Sequence, residues 1–157
     1  MPGHVVHDII GVTLAVPMTQ GIYTLGIIIT GSVQQSSSMA AVFAISHIFN
    51  TIMLSPDMDI DSSSYYRWGV LRWLWWPYKH FVPHRSRISH SAVGGIIRMM
   101  YALVLWTAAC TVLAPLVMES TIQLIVNNPY YLLVILVGSA SASWIHVVTD
   151  KIGSKIT

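Results

Sequence analysis

Histidine and aspartate residues recur at four separated places in this sequence of 157 residues. Imidazole nitrogens and carboxylate oxygens together form the ligand set that suits Zn²⁺, Mn²⁺ or Fe²⁺. The seven histidines outnumber the six acidic residues, and this unusual balance directs the search for function to metal binding. In chain order the four groups are His4, His7 and Asp8; Asp57, Asp59 and Asp61; His84 and His90; and His146 and Asp150.

Two of these groups have a spacing that suits a shared cation. His146 and Asp150 are four residues apart and therefore share one face of a helix. Asp57, Asp59 and Asp61 alternate along the chain, and carboxylates so close repel one another unless a cation or arginines neutralise them. Each pattern also has an ordinary interpretation. The first is a helix end that reaches water, and the second is an acidic turn that keeps a loop hydrated.

The segment from His84 to His90 is the densest in histidine, arginine and serine residues. The two histidines are too far around a helix to face the same way. We therefore expect His84 on a loop, with Ser89 or Ser91 as the N-cap of the helix that follows. Arg85 is placed to hold a phosphate beside the ion. The alternative is a basic segment that binds anionic lipid headgroups.

The composition indicates that part of this protein's surface is in contact with membrane lipid. Hydrophobic residues make up 54% of the chain and charged residues only 9%, against about 25% charged in ordinary soluble proteins. Such a chain is not disordered, and its net charge of +2 gives no indication of nucleic-acid binding. Cys110 is the only cysteine, which excludes a disulfide framework and a thiolate metal site.

Four apolar segments approach the ~20 residues that a membrane-spanning helix requires. They predict an all-α fold, a bundle of about four transmembrane helices in a single integral membrane domain over residues 1–157. Pro17 predicts a kink or a break in the first helix. For His47, inside the second, we favour a polar contact with Asn50 over ligation of an ion. The predicted spans are residues 9–30, 39–54, 99–118 and 130–148.

The basic residues predict the orientation of this bundle. All eight lie between the second and third spans or after the fourth. The positive-inside rule therefore places both termini and the central loop, residues 55–98, in the cytoplasm, with the membrane taken as a bacterial inner membrane. The connections at 31–38 and 119–129 are expected outside. Residues 65–79, rich in tryptophan and basic side chains, are expected to lie in the headgroup layer on the cytoplasmic side. This topology brings all four His and Asp groups to one membrane face.

Four motifs in this order resemble those of bacterial membrane-bound metal-dependent hydrolases of the LexA-regulated inner-membrane type. The pattern is still more similar to a related family of bacterial metal-binding membrane proteins, and the resemblance covers most of the chain. The motifs are His-Asp at 7–8, Pro-Asp-Met-Asp at 56–59, His-Arg-Ser-Arg-Ile-Ser-His at 84–90 and His-x-x-x-Asp at 146–150. The resemblance implies a helical protein distantly similar to zinc-dependent phospholipase C. The ligands that it implies are His7, Asp57, His90, His146 and Asp150.

The leading hypothesis is a membrane-bound metal-dependent hydrolase that acts on a phosphoester near the inner-leaflet headgroups. Asp59 is the candidate general base or bridging ligand, and Arg85 is the candidate for stabilising charge on the phosphate. One rival is a non-catalytic protein in which the ion holds helix ends together, and another is an ion-conducting bundle. The expected ion is Zn²⁺, with Mn²⁺ or Fe²⁺ as alternatives, and the candidate ligands are His7, Asp57, Asp59, His84, His90, His146 and Asp150.

Overall fold

The structure, a computed structural model, describes residues 3–84, 86 and 88–156. All regular structure within these ranges is helical, as the apolar segments predict. The α-helices of the described ranges are α1 (His4–Thr30), α2 (Val33–Met53), α3 (Ser63–Arg67), α4 (Trp76–Phe81), α5 (Ala92–Leu113), α6 (Pro115–Asn127) and α7 (Tyr130–Ile156). Two 3₁₀ helices, Pro56–Asp59 and Gly69–Trp75, lie between α2 and α4.

Four of these helices, α1, α2, α5 and α7, are long and apolar enough to cross a membrane. In the bundle α2 packs between α1 and α7, and α7 also packs against α5. Many apolar side chains point away from the bundle, including Ile28 on α1 and Val112 on α5. An apolar outer surface of this extent is typical of helices surrounded by lipid, so the four helices are compatible with membrane insertion.

Small residues allow α5 and α7 to approach closely. A side chain at Gly95 would place its Cβ 2.4 Å from the carbonyl oxygen of Ser139 and 2.4 Å from Oγ of Ser143. Both serines are fully buried. Any larger residue at position 95 would push the two helices apart, as is usual for small-residue contacts between apolar helices.

The third long helix differs from its predicted span over residues 99–118. It begins seven residues earlier, at Ala92, and ends at Leu113. Pro115 explains the early end, because proline lacks the N–H that would continue the helix and its ring crowds the preceding turn. The chain then starts a new helix at Pro115, so most of the predicted loop at 119–129 is part of α6.

The first two long helices are joined more tightly than the predicted loop at 31–38 requires. Gly31 ends α1 with a left-handed φ of 64°, a conformation that favours glycine. Ser32 follows as the N-cap of α2, and its side chain accepts a hydrogen bond from the backbone N–H of Gln35. The α1 helix continues through Pro17, so the break that we considered there is not present.

The aromatic stretch at residues 65–79 packs partly into the protein, and its position in the headgroup layer stays a prediction. Trp75 and Tyr78 are buried with Leu54 and Met99 in one apolar cluster. Of the other tryptophans in this stretch, Trp73 and Trp76 are exposed. Trp68 is anchored by its indole N–H, which donates to the carbonyl of Met53. The stretch therefore ties the central segment to the ends of α2 and α5.

Candidate metal centre

Four segments of the chain supply the central residues of the candidate site. His7 lies near the start of α1, and His146 and Asp150 lie one turn apart on α7. Asp57 lies in the 3₁₀ helix that follows α2, and His90 immediately precedes the N-cap residue of α5. Residues far apart in sequence thus meet at one end of the bundle.

Local sequence determines how two of these segments turn. Ser55 caps the 3₁₀ helix, where its side chain accepts from the backbone N–H of Asp57, and Pro56 occupies the first turn. Ser91, one of the two predicted caps, accepts from the backbone N–H of Gly94 at 3.1 Å. A Cβ at Gly94 would lie 2.3 Å from a backbone oxygen of the preceding loop, so only glycine allows this close turn.

His7, His146 and Asp150 form the tightest group. One ligand atom from each residue lies within 4.8 Å of the other two. Nε2 of His7 is 3.1 Å from Oδ1 of Asp150, and Nε2 of His146 is 3.6 Å from Oδ2. The two imidazole rings stack with their centroids 4.0 Å apart. Both histidines therefore present Nε2 to the same carboxylate.

Asp57 extends this group toward His90. Its Oδ2 is 3.5 Å from Nε2 of His146, and its Oδ1 is 3.5 Å from Nε2 of His90. The ring centroids of His90 and His146 are 6.4 Å apart. Each oxygen of Asp57 thus faces a different imidazole, an arrangement that a bridging carboxylate adopts between two ligands or two ions.

The separations between these atoms fit a shared cation better than direct hydrogen bonds. Three of the four N···O distances are 3.5 to 3.6 Å, beyond the usual range of about 2.7 to 3.2 Å for N–H···O bonds. Ligands at the zinc distances of about 2.0 to 2.1 Å in a tetrahedron lie about 3.4 Å from one another. The ligand atoms of His7, His146 and Asp150 are therefore close enough together to hold one ion.

The surroundings of the site favour a bound cation as well. The side chains of His7 and His146 are largely buried, whereas that of Asp57 is 30% exposed. Burial works to raise the pKa of the Asp57 carboxyl. The contact with His90 and the electrostatic interactions with the neighbouring imidazoles outweigh this effect and hold that pKa below its usual value. Asp57 therefore stays ionised and keeps a negative charge beside the imidazoles.

Comparison with known proteins gives one family over nearly the whole chain. Residues 2–157 match the family described as "Uncharacterized metal-binding protein (DUF2227)". The chain belongs to this metal-binding family. An "Uncharacterized protein" of Aquifex aeolicus (strain VF5) is 33% identical over 60 residues, which cover 38% of this chain and 43% of that relative. The alignment thus spans less than half of the relative's length. No solved structure matches the chain.

The match concerns metal binding and carries no information on hydrolysis or on the identity of the ion. The donor set described above, three imidazoles and two carboxylates, fits the metal binding that defines the family. The relationship to the LexA-regulated hydrolases stays a prediction.

Two further predicted ligands form a neighbouring pair. Nδ1 of His84 is 3.1 Å from Oδ1 of the buried Asp59, and the His84 ring contacts the His90 ring at a centroid distance of 5.5 Å. Within the described ranges, Oδ2 of Asp59 is buried without a hydrogen-bond partner. This pair lies next to the central group and offers an unused carboxylate oxygen. Arg85 lies outside the described residues.

Two carboxylates of the predicted groups have partners of their own away from the central donors. Asp8 pairs with Arg67, and Asp61 pairs with Lys79. His47, deep in α2, makes the polar contacts inside the bundle that the sequence favours over ligation, but its partners differ from the expected Asn50. Its Nδ1 contacts Oγ of Ser141 at 2.8 Å, and its Nε2 contacts a backbone carbonyl of α1 at 3.1 Å.

Arg98 is the principal residue that the sequence analysis missed, because it was counted as one of the basic residues of the central segment. It lies inside α5 and is fully buried. The guanidinium donates to the carbonyl oxygens of Leu54 at 2.6 Å and Ser89 at 2.7 Å, and to Tyr78 Oη and Ser143 Oγ. A single arginine flanked by glycines and apolar residues was the signal that could have revealed it.

Arg98 also supports the candidate ligands indirectly. By holding the carbonyl of Ser89 it fixes the residue whose hydroxyl contacts Nδ1 of His90 at 2.9 Å. A partner on the second ring nitrogen orients a metal-binding imidazole and sets its tautomer. On its other side, Arg98 donates to Ser143, which in turn donates to Asn50. The arginine therefore connects three of the segments that surround the site.

Proposed function

We propose that this metal-binding protein holds a divalent cation, with Zn²⁺ as the expected ion, at the cytoplasmic end of four membrane-spanning helices. His7, His146 and Asp150 are the central ligands, and Asp57 and His90 complete the site or bridge to a second ion. The observation that carries the proposal is the set of N···O separations of 3.5 to 3.6 Å among imidazoles and carboxylates that come from α7, the 3₁₀ helix after α2 and the turn before α5. Imidazole and carboxylate are the ligands that zinc prefers besides thiolate.

We further propose that the site hydrolyses a phosphoester at the level of the lipid headgroups. When bound, such an ion supplies Lewis acidity and makes water a nucleophile near neutral pH. Asp59 has a carboxylate oxygen without a hydrogen-bond partner among the described residues, and this oxygen would accept a proton from water. His84, which contacts the other oxygen of Asp59, orients that carboxylate. Arg85 is the proposed partner of the phosphate charge.

The partial exposure of Asp57 supports this reading, because a substrate needs access to the ion. The rival, an ion that only joins helix ends, draws support from the burial of His7 and His146 and from the number of segments that the donors connect. A structural site keeps all positions filled by protein, whereas a catalytic site leaves one open.

Elemental analysis of the detergent-purified protein tests the metal centre. We expect at least one bound divalent ion per chain in the wild type, and its loss in both His146→Ala and Asp57→Ala. His80→Ala is the matched control, because His80 stacks on Trp76 away from the site and its loss should leave the metal content unchanged. A wild type that takes up no metal after reconstitution with Zn²⁺, Mn²⁺ or Fe²⁺ would refute the proposal.

A panel of phosphoesters, including phospholipids in vesicles, then separates the two functions. Turnover that disappears in Asp59→Asn while metal content is retained supports hydrolysis with Asp59 as the base. A protein that binds metal but leaves the whole panel untouched supports the structural role.

A further inference from the structure

A small cavity lies beside the candidate metal centre and borders both His7 and His146. It is enclosed by α1, α2 and α7, and its walls include His7, Asn50, Thr51 and His146. Its volume of about 10 Å³ is close to what one water molecule needs. The cavity therefore has room for one small polar molecule and for little else.

Three unpartnered polar atoms belong to the residues that line this cavity. They are Nδ1 of His7, Nδ2 of Asn50 and Oγ1 of Thr51, each buried without a hydrogen-bond partner within the described part of the chain. Buried donors and acceptors are costly when unpaired and almost always have a partner in native proteins. Three in the wall of one water-sized cavity indicate a shared polar ligand.

The hydrogen bonds around Asn50 determine which of its atoms is available. The guanidinium of Arg98 can only donate, so Ser143 Oγ accepts from it at 2.7 Å and has its own hydrogen free. That hydrogen goes to Oδ1 of Asn50 at 3.1 Å. In this orientation of the amide, Nδ2 of Asn50 remains as a donor for the cavity.

We propose that one buried water molecule occupies this cavity and connects Asn50 and Thr51 to Nδ1 of His7. Water accepts two hydrogen bonds and donates two, which matches a fixed donor on Asn50, a hydroxyl on Thr51 that can act in either direction, and a ring nitrogen. The part of this inference that concerns the metal rests on the proposed function. With Nε2 of His7 bound to the ion, Nδ1 carries the proton and donates to the water, which in turn donates to Thr51.

The water then acts as the second partner of the His7 ring, in the role that Ser89 has for His90. Partners of this kind fix the orientation and tautomer of a metal-binding imidazole. In the metal-free protein Nε2 of His7 instead donates to Asp150, and the same water turns to donate to Nδ1. The reversible hydroxyl of Thr51 allows both arrangements without any movement of the backbone.

Thr51→Val tests this site because it removes the hydroxyl and keeps the side-chain shape. We expect the zinc affinity, measured by competition with a chelator, to fall about 3- to 10-fold, below the 10- to 100-fold of a directly bonded partner. Thr51→Ser should bind like the wild type. Thr19→Val is the matched control, because Thr19 Oγ1 is also buried without a partner in the described ranges but lies outside this cavity. Equal affinities of Thr51→Val and Thr19→Val would overturn the role of the water.

A crystal structure of the metal-free protein tests the water independently of metal binding. We expect ordered density within hydrogen-bonding distance of Asn50 Nδ2 and His7 Nδ1 in the wild type and its loss in Thr51→Val. An empty cavity in the wild type would overturn the inference even if zinc binds. A wild type that shows this density but binds no metal would instead refute the proposed function and leave the water site standing.

Discussion

Two adjacent buried regions of this protein handle charge in opposite ways. Arg98 makes four hydrogen bonds of 2.6 to 3.2 Å to oxygen atoms of four separate segments. The histidines and carboxylates of the candidate metal centre approach one another only to 3.1 to 3.6 Å. The protein's own groups satisfy the first charge, whereas those of the second region leave room between them for a cation.

This difference indicates distinct roles for the two regions. The Arg98 region needs nothing beyond the chain to be complete, so it should contribute to stability whether or not metal is present. The metal centre should contribute mainly when an ion is bound, because three of its four N···O pairs are too far apart for good hydrogen bonds without one.

Removing Arg98 should have the largest effect of any single substitution considered. Arg98→Met leaves two carbonyls and two hydroxyls buried without their donor, which we expect to cost on the order of 3 kcal/mol or more of the free energy of unfolding. The yield of monodisperse protein in detergent and its unfolding by denaturant measure this loss. Arg72→Met is the control, because Arg72 is exposed and lies over the ring of Tyr66. Equal stability of the two variants would remove the contrast on which the comparison rests.

Removing the metal should have the next largest effect on stability, and this effect should depend on the metal centre and not on the Arg98 region. At an ion concentration of about 100 times Kd, binding stabilises the folded state by about 2.7 kcal/mol, and a chelator removes that contribution. We expect a chelator to lower the unfolding temperature of the wild type and of Arg72→Met, but not of His146→Ala. A chelator effect that persists in His146→Ala would show that the stabilising ion binds elsewhere.

Ser89 connects the two regions, so its substitution sharpens the comparison. Ser89→Ala removes the hydroxyl that contacts His90 but keeps the carbonyl that accepts from Arg98. We expect stability without metal to change little and metal affinity to fall about 10-fold, the lower end for partners of metal-binding imidazoles. Ser139→Ala is the matched control, because this buried hydroxyl bonds only to the backbone of its own helix. If the two variants lose equal metal affinity, Ser89 has no special role in orienting His90.

The sequence predicted the meeting of the His and Asp groups because that result depends on few physical facts. Apolar segments of about 20 residues run from one side of a bundle to the other, so residues at alternate loop positions return to the same end. His146 and Asp150 share a helix face by their spacing alone. None of this depends on how the helices pack against one another.

Other features depended on tertiary contacts that sequence patterns do not contain. The burial of Arg98 results from the position of Ser143 on α7 and of Leu54 at the end of α2. The contact between the His84 and His90 rings is likewise a tertiary contact that the spacing of the two histidines in the sequence does not give. Pro115, in contrast, could have been used to predict the end of the third long helix. The predicted span over residues 99–118 runs through this proline, although proline inside a helix is destabilising.

The smallest effect on stability is expected at the exposed pair of Asp61 and Lys79. Here water solvates the charges, whereas buried hydrogen bonds satisfy Arg98 and an ion is proposed to neutralise the metal centre. Lys79 Nζ is 2.6 Å from Oδ1 of Asp61, and this hydrogen bond holds the pKa of the carboxyl below its usual value against an opposing effect of desolvation. A lowered pKa in the folded state means that the pair stabilises the protein above about pH 4 and loses this effect as the pH falls through the folded pKa.

Because solvent screens exposed pairs, Asp61→Asn should shift the unfolding temperature by no more than about 1 °C at neutral pH. Any difference from the wild type should vanish in acid, and one that grows on acidification would contradict the assigned sign.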